Sequence, residues 1–280
     1  MNKRQQLLHK QAVELLENSR LTQAERLFVC DHYLETATGQ NALASAHFTP
    51  YEIANNFSVN IEGFLSVVDL CAGIGILGLP HYFKSLWDKS QLRYVCVEAC
   101  QEYVEIGSKL FPVAEWVHGD VTDKALISSL GHFRGAVANP PFGKTVKPSC
   151  PPPLYTGTEF EYIVMDIAAD IADHGAFIIP QASSPFVLSG GHKFQDGRSD
   201  FRDGSYNFAQ NMKKYGRFHK ETKIHLEPGV SVDYADYKKQ WKGVAPQIEV
   251  VTADFEEIRK QRQLAINFPN LDESPLFAAA

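Results

Sequence analysis

From residue 65 onward, short apolar runs alternate with stretches of helical period. The runs at 66–71 (SVVDLC), 93–99 (RYVCVEA), 115–120 (EWVHGD), 135–140 (GAVANP) and 175–180 (GAFIIP) predict strands. The stretches near 75–86, 101–110, 123–130 and 159–173 predict helices between them. Runs as continuously apolar as Val67-Val68 and Tyr94 to Val97 suit a parallel sheet covered on both faces. Residues 222–234 and 247–255 predict two further strands, close enough in sequence to pair antiparallel at the sheet edge. Upstream, helices are expected within 3–18 and 22–36, the second opened by the capping box of Thr22 and Glu25. A third is expected at HFTPYEIANNF, with Thr49 as N-cap, Pro50 in the first helical position and Glu52 completing another box. The tail from Arg259 predicts a helix followed by a loose end. The pattern as a whole is α/β: a doubly wound, mostly parallel seven-stranded sheet with an N-terminal helical extension acting as a lid or brace.

At 280 residues and 44% hydrophobic, the chain suffices for one substantial core. Residues 1–44 are expected to form the extension, 45–256 the catalytic domain and 257–280 a tail. No apolar run approaches the roughly 20 residues of a membrane-spanning helix, and the charged first twenty residues lack the features of a secretory signal. The expectation is a cytoplasmic protein without a membrane partner. The five cysteines contain no CxxC pair, so neither a disulfide framework nor a metal site is expected, and Cys96 and Cys100 read as reduced structural thiols. The net charge of −6 argues against bulk electrostatic coating by nucleic acid. Residues 191–225, however, hold eight basic and four acidic side chains, a local balance of +4 that leaves −10 elsewhere.

The first predicted strand runs into VVDLCAGIGILG, where Asp69 closes the strand and Gly73 and Gly75 permit a tight turn and close approach of a ligand. The second strand ends in Glu98, followed by Ala99; its carboxylate can accept from both hydroxyls of a ribose. The third ends in Asp120-Val121, a carboxylate able to accept from an adenine amino group beside an apolar side chain able to pack on the ring. The fourth ends in Asn139-Pro140-Pro141-Phe142. An aromatic amine delocalises its lone pair and attacks poorly. If the Asn139 side-chain oxygen and the Pro140 carbonyl both accept its hydrogens, the nitrogen turns tetrahedral and its lone pair becomes available. Pro141 restricts Pro140 to an extended conformation, and Phe142 can stack on a base. The bland alternative is a Pro-rich turn beside a core Phe.

These residues, over about 45–256, resemble the S-adenosylmethionine-dependent amino-methyltransferases, specifically the N6-adenine DNA methyltransferases. The resemblance implies a Rossmann-like class I methyltransferase fold and S-adenosylmethionine as cofactor. Asn139 to Phe142 match the family's catalytic tetrapeptide, and Asp69, Cys71, Ala72, Gly73 and Gly75 its glycine turn. Glu98 and Ala99 match its ribose acid site, and Asp120 and Val121 its adenine site. Phe48-Thr49-Pro50 is similar to the segment that holds the methionine end of the cofactor, where helix capping by Thr49 competes as an explanation. The implied activity is methyl transfer to adenine N6 in DNA. The alternatives are adenine N6 or guanine N2 in ribosomal RNA and, further off, a protein glutamine. A C5-cytosine mechanism lacks its nucleophile, since Cys150 stands eight residues beyond Phe142 without a Pro-Cys motif.

The sequence departs from the family in having only about forty residues after Pro180 where a large recognition domain commonly lies, which implies limited sequence specificity. Candidate nucleic-acid contacts are Lys144 in the loop after Phe142 and the insertion 181–225. In that insertion Lys193, Arg198, Arg202, Lys213, Lys214 and Arg217 interleave with Phe194, Phe201, Tyr206, Phe208, Tyr215 and Phe218. The competing reading of the insertion is a solvated excursion.

Overall fold

A computed structural model describes residues 3–34, 47–85, 89–144, 146–190, 208–230, 232–233, 235–242 and 245–267. Three helices, α1 (Lys3–Leu15), α2 (Gln23–His32) and α3 (Tyr51–Phe57), lead into the alternating region. There follow β1 (Ser66–Asp69), α4 (Gly78–Lys84), β2 (Arg93–Glu98), α5 (Gln101–Leu110), β3 (Glu115–His118), α6 (Lys124–Ser129) and β4 (Phe133–Ala138). Then come α7 (Phe160–Ile171), β5 (Ala172–Pro180), α8 (Phe208–Thr222), β6 (Glu227–Pro228), β7 (Ile248–Asp254) and α9 (Phe255–Asn267).

The sheet has seven strands in the order β3-β2-β1-β4-β5-β7-β6. Strands β1 to β5 pair in parallel, and β7 runs antiparallel to both neighbours. This is the doubly wound, Rossmann-like sheet that the resemblance implies. The chain moves outward from β1 to β3 and restarts on the other side at β4, which makes the carboxyl edge between β1 and β4 the switch point where such sheets bind ligands. Pleating sends alternate residues of β1 to opposite cores: Val68, with Leu70 just past the strand end, joins one apolar cluster, Val67 the other. Ala12, Leu16, Val29 and Tyr33 share that second cluster with Val67, Tyr94 and Ile178, so the N-terminal helices are braced on the sheet. The Thr22–Glu25 box forms as expected, with Thr22 N donating to Glu25 Oε2 at 2.7 Å and Glu25 N to Thr22 Oγ1 at 3.3 Å.

Three expectations change. Thr49 does not cap α3: Pro50 occupies the N-cap position without a side-chain bond, and the Thr49 hydroxyl faces a buried amide instead. Among the described residues of 222–234, only Glu227–Pro228 form strand, because side chains take the flanking amides. Leu226 N donates to Tyr215 Oη at 3.1 Å, Pro228 has no N–H, and Val230 N donates to Asn60 Oδ1 at 2.7 Å. Residues 208–222 of the basic segment are the fifteen-residue helix α8, which buries Asn211, Tyr215, Phe218 and Thr222 along one face. Phe218 stacks on Tyr162 with ring centroids 4.3 Å apart, so Tyr215 and Phe218 belong to the core and not to a nucleic-acid surface. Phe194, Phe201 and Tyr206, together with Lys193, Arg198 and Arg202, lie outside the described residues, and nothing is described of the Phe208 side chain. Among the described residues no helix is long and apolar enough to cross a membrane.

Candidate active site at the carboxyl ends of the strands

A cavity of about 360 Å³ opens at the β1/β4 switch point. Its lining includes the predicted Phe48, Thr49, Cys71, Ala72, Gly73, Glu98, Ala99, Asp120, Val121, Asn139 and Pro141. These eleven residues come from five separate stretches of chain, and the sheet brings them together. The volume is in the ordinary range for a small-molecule site. Pro50, Asp69, Gly75, Pro140 and Phe142 fall outside the lining, and Phe142 is half-buried against the core cluster that contains Phe48.

The glycine turn is shaped by Gly73 at φ +54° and Gly75 at φ +85°, both in the left-handed region that favours glycine. A Cβ on Gly73 would meet the Phe48 ring at 3.1 Å, so the two cofactor-side segments are in contact. Gly73 N donates to Glu98 Oε2 at 2.8 Å, and Cys100 N to Glu98 Oε1 at 2.8 Å. Burial raises the Glu98 carboxyl above its usual range, and the backbone donors of Cys100, Gly73 and Ala99 oppose that rise. A carboxylate oxygen can accept more than one hydrogen bond, so Glu98 keeps acceptor capacity beyond these backbone donors. Asp120 is held through one oxygen: Oδ1 accepts from Thr122 N and Thr122 Oγ1, both at 2.8 Å. Thr122 also accepts from Ser149 N at 2.8 Å, which brings the loop after Phe142 against the same wall.

Asp69 is different. It is fully buried, faces Tyr94 and Cys96 beneath the turn, and receives only a long bond from Cys71 N at 3.4 Å. Its Oδ2 has no partner among the described residues, and burial pushes the carboxyl up to about 8. It supports the turn from below.

Asn139 is the chemical centre of the lining. Its Nδ2 donates to the His47 carbonyl at 3.0 Å and to Thr49 Oγ1 at 2.9 Å. A carbonyl only accepts, so the amide end facing His47 must be the NH₂ group and the orientation follows from chemistry. Oδ1 is thereby left buried without a partner among the described residues. Beyond the turn, Lys144 lies 3.8 Å from Glu159, and Arg217 pairs with Glu221 at 2.9 Å while donating to Thr156 Oγ1 at 2.6 Å. Lys213 is exposed and Lys214 half-buried on α8.

Several lining residues escaped the sequence reading: His47, Ile76, Leu77, Tyr103, Val146 and Phe160 among them. Ile76 and Leu77 continue the glycine turn, and Tyr103 sits in the first turn of α5 after Glu98, so proximity to the motifs could have marked them. Val146 and Phe160 arrive through a long connection and carry no local signal. None of the five cysteines forms a disulfide, and Cys71 and Cys100 line the cavity wall.

No protein-family model and no curated protein matches the chain. Solved structures do. The methyltransferase subunit of a type I restriction-modification system from Streptococcus thermophilus is 13% identical over 81% of this chain and 49% of that one, with a TM-score of 0.48. The M protein of the type I restriction enzyme EcoKI is 12% identical over 90% and 54%, with a TM-score of 0.49. An O-methyltransferase from Bacillus cereus, in complex with SAH, is 11% identical over 89% and 97%, with a TM-score of 0.46. The chain spans about half the length of the two restriction-system subunits. At such identities the likeness is one of fold, and the chemistry of this chain rests on its own cavity.

Proposed function

We propose that this protein transfers a methyl group from S-adenosylmethionine to an exocyclic amino nitrogen of a nucleobase, adenine N6 in DNA. The observation that carries the reading is the Asn139 amide, anchored through Nδ2 by His47 and Thr49 with its acceptor oxygen buried and unpartnered beside a cavity walled by two strand-end acids. The residues fit the cofactor. Glu98 stands where ribose hydroxyls would donate, Asp120 with Val121 where an adenine ring would lie, and Gly73 with Phe48 where the methionine end would reach, while the Thr49 hydroxyl is taken by the Asn139 amide. When bound, S-adenosylmethionine supplies an electrophilic methyl group on a sulfonium.

The chain's own residues do the rest. Asn139 Oδ1 accepts one hydrogen of the target amine and the Pro140 carbonyl the other, drawing the nitrogen out of conjugation. Asn139 is neutral and takes no proton, so the methylated nitrogen releases its extra proton to solvent after transfer. The apolar walls exclude water from the electrophile. Phe142 is the stacking surface for the base, and Lys144, Lys193, Arg198, Arg202, Lys213 and Lys214 remain the candidate phosphate contacts, whereas Arg217 is held by Glu221 and Thr156. The catalytic unit is residues 45–256, with 181–225 as the nucleic-acid side.

The test is to incubate the protein with labelled S-adenosylmethionine and, separately, duplex DNA, single-stranded DNA and ribosomal RNA, then identify the labelled nucleoside. N6-Methyladenine from DNA is expected. Label confined to RNA bases or to protein glutamine overturns the choice of substrate, and no S-adenosylmethionine binding overturns the whole reading.

A further inference from the structure

We infer that Glu161 is a positioning residue for the catalytic turn, its buried carboxylate holding the Gly143 peptide so that Asn139 to Phe142 keep one conformation; this rests on the reading of that turn as catalytic. Glu161 is 1% exposed, the second residue of α7, and forms no ion pair among the described residues. An ionised carboxylate stays in such a place only if donors converge on it. Two do. Gly143 N donates to Oε2 at 2.8 Å, and Ser183 Oγ donates to Oε1 at 2.6 Å. The positive end of α7 favours the anion, while burial and the neighbouring Glu159 raise its carboxyl above the usual range.

The bond to Gly143 is one of a pair. The Gly143 carbonyl accepts from Phe160 N at 2.8 Å, so the first turn of α7 grips the donor and the acceptor of a single residue. Gly143 sits at φ +78°, and a Cβ there would meet nothing within 4 Å. The glycine therefore serves backbone direction, which aims the N–H into α7. One residue further on, Lys144 faces Glu159. On the other side, Ser183 lies in the 3₁₀ turn after β5, and its carbonyl accepts from Tyr162 Oη at 2.5 Å. Glu161 thus ties the exit of β4 to the exit of β5. Asn139 is fastened at the entrance of the tetrapeptide by His47 and Thr49, and Glu161 fastens its exit.

The experiment compares Glu161→Ala, Glu161→Gln and Ser183→Ala with the wild type. It measures kcat and KM for DNA per folded molecule, Kd for S-adenosylhomocysteine by calorimetry, and amide hydrogen exchange at Gly143 by NMR. Glu161→Ala is expected to lower kcat on the order of 10²-fold, the scale of a misplaced reacting group, with Kd within threefold of wild type and Gly143 exchange at least roughly tenfold faster. In Glu161→Gln the amide oxygen still accepts from Gly143 N and its NH₂ can donate to a rotated Ser183 hydroxyl, so most of the loss is recovered. Ser183→Ala removes one contact only and should fall between, which keeps the inference testable if Glu161→Ala fails to fold. Wild-type kcat in Glu161→Ala, or unchanged Gly143 exchange, overturns the inference, as does a fall in stability and Kd with kcat unaltered. If the wild type methylates no nucleic acid while Gly143 exchange still responds, the catalytic reading falls and the clamp on the turn stands.

Discussion

The strand-end cavity and helix α8 both carry polar groups that the sequence marks as functional, and they differ in where those groups direct their bonding capacity. In the cavity, protein contacts hold one end of a group and leave the other without a partner among the described residues: Asn139 is gripped through Nδ2, and Asp120 through Oδ1. On α8 the cation Arg217 is engaged within the chain, since it bonds Glu221 and Thr156, and the aromatics beside it fill the core. A ligand site is recognised by capacity left over after internal bonds are counted, and composition alone does not count them.

The largest effect should come from Asn139→Ala. Turnover is expected to fall by 10² to 10³-fold or more, the scale for removing one preorganised polar contact to a reacting group, while calorimetric binding of S-adenosylhomocysteine stays near wild type. Full activity would remove the cavity's claim to be the reacting centre. Thr49→Val sharpens the contrast, because it deletes an acceptor for the Asn139 amide and nothing else in side-chain volume. Here kcat should drop roughly tenfold with Kd for the cofactor unchanged, and Thr49→Ser should restore it. Weaker cofactor binding at normal kcat would assign Thr49 to the cofactor's methionine end instead.

Asp69 offers a pH test. Its folded-state carboxyl titrates at about 8, far above an unfolded one, so the folded state holds a proton that the unfolded chain has released. Stability therefore falls as pH rises between those two values, by up to about 1.4 kcal/mol per unit. Thermal melts of Asp69→Asn should lose that slope between pH 6 and 8, and a parallel slope in both proteins would place the titration elsewhere. The smallest effects belong to α8. Reversing Lys213 and Lys214 to Glu should weaken DNA binding at low salt by roughly tenfold and flatten its salt dependence. Arg217→Ala should lower the melting temperature slightly and leave binding almost intact; equal losses in both variants would erase the distinction between engaged and free cations.

Much of the cavity was legible beforehand because its residues stand at strand ends in a fixed order, and strand ends of a doubly wound sheet converge. Glu98, Asp120 and Asn139 were found that way. Asp69 ends its strand just as visibly, yet it points to the core shared by Val67, Tyr94 and Cys96, while Leu70 reaches the cavity. A pleat reverses direction at every residue, so an acid one position away meets a different environment. Glu161 gave no signal, because an acid in the first turn of a helix usually faces solvent and this one is turned inward by Gly143 and Ser183, 18 and 22 residues away. Helix α8 is not legible in the sequence because its buried spacing, Asn211, Tyr215, Phe218 and Thr222, is interrupted by cations and includes two polar residues.

What the sequence by itself determined is whatever depends on near neighbours: the periods of strand and helix, the Thr22–Glu25 box three residues apart, the glycine turn and the Asn139 to Phe142 tetrapeptide. What only the tertiary structure decided is how limited hydrogen-bonding capacity is shared among distant groups. The Asn139 amide is oriented by residues 90 and 92 positions earlier, and Thr49 serves that amide instead of its own helix. A buried donor must find an acceptor, and which one it finds is set by the fold that removes them both from water.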